Sequence, residues 1–156
     1  MEIVLAKAED FSQIVSLIKS EFSYLGVSLE QATVRMHHPD VFVFVAKRGK
    51  IVFGFIDLGI SNNRGFLNGF SVRKDFRKKG IGKKLLLFGV KFLFESGVEK
   101  ISLLVKQENP VAKKMYESAG FEFVRVYPKK IDGKTVEEME LRQHGVVGVF
   151  LKKFVS

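Results

Sequence analysis

Val72-Arg73-Lys74-Asp75-Phe76-Arg77-Lys78-Lys79-Gly80-Ile81-Gly82-Lys83-Lys84-Leu85-Leu86 is the stretch that decides how this chain reads. A run of β-formers, Phe66 to Val72, ends where it begins. A basic turn follows, and Gly80-Ile81-Gly82 then opens a run with helical spacing. Ile81, Leu85, Phe88 and Phe92 fall on one face of a helix predicted over 82–96, with Lys83, Lys84 and Lys91 off it. Gly80 and Gly82 have no Cβ, so the backbone can bend there and approach a ligand closely. The N–H groups that open a helix lack intrahelical partners and carry the positive end of its dipole. Strand, glycine-spaced loop and helix start therefore predict an anion cradle, with Arg77, Lys78, Lys79 and Lys83 adding full charges around it.

The charge of the whole chain points to the same place. Its 156 residues carry 26 Lys and Arg against 17 Asp and Glu, a net +9. Seven of the basic residues lie between Arg73 and Lys84, with Asp75 the single acid there. A strongly basic balance favours an anionic partner: nucleic acid, a membrane surface or a phosphorylated ligand. Two familiar phosphate loops fit poorly. A P-loop needs four residues between its glycines and a Ser or Thr where Lys84 stands, and the dinucleotide fingerprint wants a third glycine where Leu85 stands. A solvated basic turn remains the bland alternative.

Composition sets further bounds. The chain is 46% apolar and 28% charged, enough for a real core and one domain of ordinary size. Cysteine is absent, which excludes disulfides, cysteine-ligated metals and a cysteine nucleophile. With His37, His38 and His144 as the full set of histidines, a His-rich metal site is disfavoured and no metal is expected. His37-His38 before Pro39 reads as a surface helix end. The first residues lack the features of a signal peptide, and no apolar run is long enough to span a membrane. Cytoplasmic location, with no membrane partner, is the expectation.

The flanks of the deciding stretch fill in the organisation. A first strand lies within Met1 to Ala8. Asp10 with Gln13 reads as a capping box for a helix carrying Phe11, Ile14, Val15, Ile18 and Phe22. A weaker helix covers about 28–38. Val41 to Ala46 and Ile51 to Ile60 form a predicted hairpin around Gly49, and Asn62, Asn63 and Gly65 turn into the strand that ends at Val72. Downstream, Gly97 stops the helix, and Ile101 to Val105 reads as a strand buried on both faces. Asn109-Pro110 starts another helix, which Gly120 ends. Phe121 to Tyr127, a turn at Asp132-Gly133 and Thr135 to Arg142 close the pattern. The order is β-α-α-β-β-β-α-β-α-β-β, a mixed α/β (α+β) fold. Residues 143–156 are a C-terminal extension with no assigned role. Sixteen Phe with no Trp is unusual; Phe42, Phe44, Phe53, Phe55, Phe66 and Phe70 alternate along strands and read as core.

Val72, Arg77, Gly80, Ile81 and Gly82 match V-x-x-x-x-R-x-x-G-I-G and resemble the acetyl-coenzyme-A signature of the GNAT acyltransferase superfamily. Asn109-Pro110-Val111-Ala112-Lys113-Lys114-Met115-Tyr116-Glu117-Ser118-Ala119-Gly120-Phe121 resembles the family's N-x-x-A-x-x-x-Y-x-x-x-G-F helix. The resemblance covers residues 1–142, a single N-acetyltransferase domain. Its nearest branch resembles the ribosomal-protein alanine and other protein N-terminal acetyltransferases, through Tyr127, Asp132-Gly133 and Met139.

The resemblance implies a GNAT fold with splayed central strands and acetyl-CoA as cosubstrate. Backbone at Phe70, Ser71 and Val72 would pair with the pantetheine arm. Arg77, Lys78, Lys79, Gly80, Ile81, Gly82 and Lys83 would hold the pyrophosphate, and Asn109 would contact the cofactor arm. Tyr116 would protonate the leaving thiolate, a task suited to a phenol; its place among Val111, Ala112, Met115 and Ala119 also fits plain core. The implied reaction is direct attack of a primary amine on the thioester, consistent with the missing cysteine. A base is harder to place. The branch carries Glu or His five residues before the motif Asn, where this chain has Leu104. The strand that carries Phe66 to Val72 offers Arg64 and Asn68 instead of Glu. Asp57, Glu108, Glu138, Glu140 and His144 remain as candidates. A protein α-amino group, with a pKa near 8, would need less help from a base. Phe22, Tyr24 and Leu25 lie where family members shape the acceptor pocket.

The expected activity is acetyl transfer to a protein N-terminal or lysine amine. The alternatives are a small-molecule amine acceptor, or a non-catalytic module that binds coenzyme A or nucleic acid. Nucleic acid is disfavoured because no aromatic-interleaved basic stripe is present. A homodimer is compatible with the sequence.

Overall fold

The computed structural model describes residues 1–21 and 29–143. Phe22, Tyr24, Leu25 and residues 144–156 of the C-terminal extension, His144 among them, lie outside the described residues. The elements are β1 (Glu2–Leu5), α1 (Phe11–Glu21), α2 (Leu29–Met36), β2 (Val41–Arg48), β3 (Ile51–Ser61), β4 (Arg64–Val72), α3 (Ile81–Glu95), β5 (Lys100–Lys106), α4 (Pro110–Ser118), β6 (Glu122–Val126) and β7 (Val136–Arg142). That is the predicted order, element for element. The elements group into two compact units, one of residues 1–59 and 67–89, the other of 60–66 with the chain from Val90 on.

In the first unit the strand order is β1-β2-β3-β4. β1 pairs antiparallel with β2, Leu5 opposite Phe44, and β2 folds back antiparallel on β3. Gly49 makes that hairpin turn at φ +59, a conformation that costs a Cβ-bearing residue about 1 kcal/mol or more. Phe11, Ile14 and Leu17 of α1 pack with Val43, Val45, Val52 and Phe55 into one core cluster. Burying each such side chain stabilises the fold by roughly 1.5–3 kcal/mol.

The start of α1 differs from the predicted capping box. Asp10 closes a single 3-10 turn, Ala8–Asp10, and its Oδ2 accepts the Lys7 N–H at 2.9 Å. Its Oδ1 accepts a 2.6 Å bond from the Lys47 ammonium, and both residues are buried. Gln13 reaches away from the cap as well, donating to the Lys50 carbonyl and accepting from the Val52 N–H. A buried carboxylate needs a cation, so Asp10 takes Lys47 besides the Lys7 N–H, while Gln13 bonds the backbone of Lys50 and Val52.

In the second unit the strand order is β5-β7-β6, all antiparallel. Ile101, Leu103 and Val105 of β5 are buried, as are Met139 and Leu141 of β7 and Val90, Leu93 and Phe94 of α3. The two-sided burial predicted for β5 fails at Leu104, which is 41% exposed. Of the face predicted for α3, Ile81 and Leu85 are buried and Phe88 and Phe92 half-buried; the buried face is wider than predicted and takes in Leu86, Val90 and Leu93 as well. Asn62 and Asn63 both take positive φ in the turn before β4, as a two-residue hairpin turn requires. Gly65 lies in β4 itself, where a Cβ would come within 3.1 Å of Leu93. β6, at the end of the strand order, is exposed throughout.

Candidate active site

The predicted anion cradle lies in the first unit. β4 ends in Ser71 and Val72, both buried, and the Arg73 N–H donates to the Phe53 carbonyl at 2.8 Å. A 3-10 turn, Lys74–Phe76, follows. The Phe76 ring lies on Phe53 with centroids 4.2 Å apart. Arg73 and Lys79 place their cationic groups 5.1 and 5.3 Å from the centre of the Phe76 ring. Arg73 is also forked onto the Asp75 carboxylate. Arg77 turns back so that its Nε donates to the Val72 carbonyl at 2.8 Å, which ties the loop to the end of the strand.

The loop backbone then alternates in hand. Lys78 takes φ +61 and Gly80 takes φ +81. Nothing lies within 4 Å of where a Gly80 Cβ would sit, so its backbone angle, and not crowding, asks for glycine. Gly82 is different: a Cβ there would meet Phe70 at an ordinary 3.6 Å. The first bond of α3 runs from the Lys84 N–H to the Gly80 carbonyl at 3.1 Å. The N–H groups of Ile81, Gly82 and Lys83 therefore stand at the helix start without intrahelical acceptors. Lys78, Lys79 and Lys83 are exposed beside them. The left-handed Lys78 was not legible in the sequence, because only glycine advertises that conformation; a lysine there stores strain of the kind found at functional sites.

Asn109 and Tyr116 lie in the second unit, on one helix. Asn109 caps α4: its Oδ1 accepts the Ala112 N–H at 3.1 Å, and Pro110 takes the first helical position. Lys113, one turn on, donates to the Glu137 carboxylate of β7 at 3.0 Å. Tyr116 is buried, its ring edge-on to Phe121 at 5.8 Å. Burial pushes the Tyr116 phenol above its usual pKa by disfavouring the phenolate. It therefore keeps its proton at any ordinary pH and can donate to a developing thiolate.

Each described base candidate already holds a cation. Asp57 of β3 accepts both a forked bond from Arg35 of α2, at 2.7 and 2.9 Å, and a 3.0 Å bond from Asn68 of β4. Bonding and attraction from Asp57 raise the Arg35 guanidinium further. Glu108 pairs with Lys134, Glu138 with Arg125, and Glu140 with Arg142 and Lys100. Arg64 approaches the ring of Phe66. Sequence reasoning had no signal for the Arg35–Asp57–Asn68 cluster, because Asp57 lies 22 residues from Arg35 and 11 from Asn68 in the chain. At the end of α2, His37 Nδ1 meets the Thr33 carbonyl and His38 Nδ1 accepts the Asp40 N–H, the helix-end role expected of this pair. Among the described residues no three of His, Asp or Glu cluster as a metal site would need.

A basic, glycine-bent loop that feeds a helix N-terminus at the end of a β-strand defines a class first: α/β proteins built to receive a phosphorylated cofactor. The model of the acetyltransferase (GNAT) family matches residues 10–121. An acetyltransferase of Pectobacterium atrosepticum is 30% identical over 129 residues, covering 80% of this chain and 89% of that relative. A chimera of Vibrio cholerae spermidine N-acetyltransferase SpeG and hSSAT has a similar structure, with a TM-score of 0.78 at 22% identity over 97% of this chain and 99% of the other. The ribosomal-protein-alanine N-acetyltransferase of Brucella melitensis does too, with a TM-score of 0.79 at 19% identity over 91% and 99%. The chain belongs to the GNAT acetyltransferase family and is an acetyl-CoA-dependent N-acetyltransferase.

Proposed function

We propose that the enzyme acetylates a protein amine, an N-terminal α-amino group or a lysine, and that residues 1–142 act as one catalytic domain. The observation that carries the choice of acceptor is the pairing of its carboxylates. Asp57, Glu108, Glu137, Glu138 and Glu140 each hold a Lys or Arg side chain. A polyamine needs several carboxylates to receive its charges, and a net charge of +9 repels it at long range. A polypeptide asks for less charge and more apolar contact. Phe123, Val124, Val126 and Ile131, on β6 and the turn after it, are exposed and supply such a surface.

In this reading the Phe70–Val72 backbone pairs with the pantetheine arm as an added strand. The N–H groups from Lys78 to Lys83 hold the pyrophosphate, and the loop lysines meet its charge. Arg77 keeps the loop in shape through the Val72 carbonyl. Gly82 stays bare so that the cofactor can come close to its backbone. Asn109 contacts the cofactor arm with the amide that also caps α4. The amine attacks the thioester carbonyl, and Tyr116 donates to the departing sulfur.

The test is an acetylation assay with acetyl-CoA against peptides with varied N-terminal residues, acetyl-blocked lysine peptides, and a panel of small amines that includes spermidine. Peptides should turn over with the higher kcat/KM. Preference for a small amine by tenfold or more would overturn the choice of acceptor.

A further inference from the structure

We propose that Glu138 of β7 is the general base for the acceptor amine, with the Ser102 hydroxyl of β5 beside it holding the water that relays the proton. The proposal rests on the acetyl-transfer reading and adds the proton acceptor that Leu104 cannot supply.

In the β5–β7 ladder Leu104 stands opposite Glu138, and Ser102 opposite Glu140. Directly opposed residues share a face of the sheet, with Cβ atoms about 4.5–5.5 Å apart. A carboxylate absent from Leu104 is thus present one strand over. The Glu138 side chain is 13% exposed, so it is largely shielded yet reachable. The Leu104 side chain next to it stands open to solvent on that face.

Ser102 supplies the second, independent observation. It is 5% exposed, and among the described residues its hydroxyl has no hydrogen-bond partner. A buried hydroxyl left unsatisfied is destabilising, and folded proteins rarely leave one so. By strand alternation Ser102, Leu104, Glu138 and Glu140 lie on one face. A water, or the amine itself, would satisfy the hydroxyl and touch the carboxylates at once.

The opposite face of β7 is already in use. Glu137 points to α4 and takes Lys113, one turn before Tyr116. The base and the acid therefore belong to opposite faces of β7. That separation suits a reaction in which the amine arrives on one side of the carbonyl carbon and the thiolate leaves on another.

The step balances. The acceptor arrives as an ammonium and gives one proton through water to Glu138. The freed lone pair forms the C–N bond as the C–S bond breaks. The sulfur takes a proton from the Tyr116 phenol, which recovers one from the nitrogen as the amide forms. Glu138 returns its proton to solvent, so ammonium and acetyl-CoA give amide, thiol and one proton. Arg125 of β6 contacts Glu138 at 2.7 Å. Glu122 of β6, Lys100 and Lys106 of β5, and Glu140 and Arg142 of β7 are the other charged groups on this face. A carboxylate accepts at both oxygens, so the Arg125 bond leaves acceptor capacity.

The experiment compares wild type, Glu138→Gln, Arg125→Gln and the double variant Glu138→Gln/Leu104→Glu in full-length protein. Each is assayed with acetyl-CoA and with both a peptide bearing a free N-terminal alanine and spermidine; ratios are taken on the acceptor that wild type turns over faster. Glu138→Gln should lower kcat at pH 7 by on the order of a hundredfold with KM for acetyl-CoA unchanged, and the loss should shrink toward pH 9.5 as the amine sheds its own proton. Arg125→Gln breaks the same ion pair but keeps the base, so its loss should be at least about tenfold smaller than that of Glu138→Gln. Adding Leu104→Glu should recover about tenfold or more of the lost rate, since it returns a carboxylate to the neighbouring position. A Glu138→Gln rate near wild type, equal losses in Glu138→Gln and Arg125→Gln, or no recovery with Leu104→Glu each overturn the proposal. Faster turnover of spermidine overturns only the proposed acceptor; a wild type that transfers to neither amine overturns both readings.

Discussion

Tyr116 combines two readings that the sequence held apart. It is a core residue, packed edge-on to Phe121, and burial also fixes its phenol in the protonated form. A buried phenol that holds its proton until the sulfur departs is a dependable donor. Tyr116→Phe keeps the ring and deletes only the hydroxyl. It should lower kcat by about 10²-fold or more while acetyl-CoA affinity stays within about twofold. Steady-state kinetics and calorimetric titration check this, and an unchanged kcat would leave Tyr116 as core alone. Lys78 and Gly80 show a different use of single residues. Both hold positive φ, so the loop reverses its backbone hand twice within three positions before α3 begins. Gly80 was legible because glycine is the residue that adopts such a conformation freely. Lys78 was not, since nothing in a lysine side chain announces it.

At the scale of elements, β3 sets where β4 ends. A Cβ added to Gly54 would sit 2.6 Å from the Ser71 carbonyl oxygen and 3.2 Å from Leu85. The first neighbour is backbone and cannot swing aside. Gly54→Ala should therefore displace the strand end that carries Phe70, Ser71 and Val72. The expected outcome is a lower Tm and a coenzyme-A affinity weakened by about tenfold, roughly 1.4 kcal/mol. A calorimetric Kd equal to wild type would show that the strand end plays no part in binding the cofactor. α4 was the most legible element, because Asn109, Pro110 and Gly120 mark its ends in sequence and the structure keeps those marks. α1 was the least legible at its start. Asp10 and Gln13 had the spacing of a capping box, but apart from the Lys7 N–H their partners, Lys47, Lys50 and Val52, lie more than thirty residues away.

At the scale of the whole molecule, the excess charge is concentrated. Arg73 to Lys84 carries a net +6 of the chain's +9. Asp75 is engaged by Arg73, whereas Lys78, Lys79 and Lys83 stand exposed at the helix start. Coenzyme A, with its pyrophosphate and 3′-phosphate, should bind through long-range attraction that salt screens. At about 0.1 M salt the screening length is near 10 Å, and at about 1 M it is near 3 Å. Coenzyme-A affinity should fall several-fold between those conditions. Lys78→Gln/Lys79→Gln should weaken binding at low salt and flatten the salt dependence. A salt response that is the same in wild type and variant would remove these lysines from the cofactor site.

The sequence by itself determined the order of elements, the turns and the two GNAT motifs. These depend on information a few residues wide: alternation of apolar positions, a proline at a helix start, a glycine where φ must be positive. Tertiary structure decided what depends on register and burial. It added Lys47 to the partners of Asp10, turned Leu104 outward, and put Glu138 across the ladder from it. A strand's side chains alternate between faces, so which residues meet across a ladder is set by pairing register, and no local run of sequence carries that.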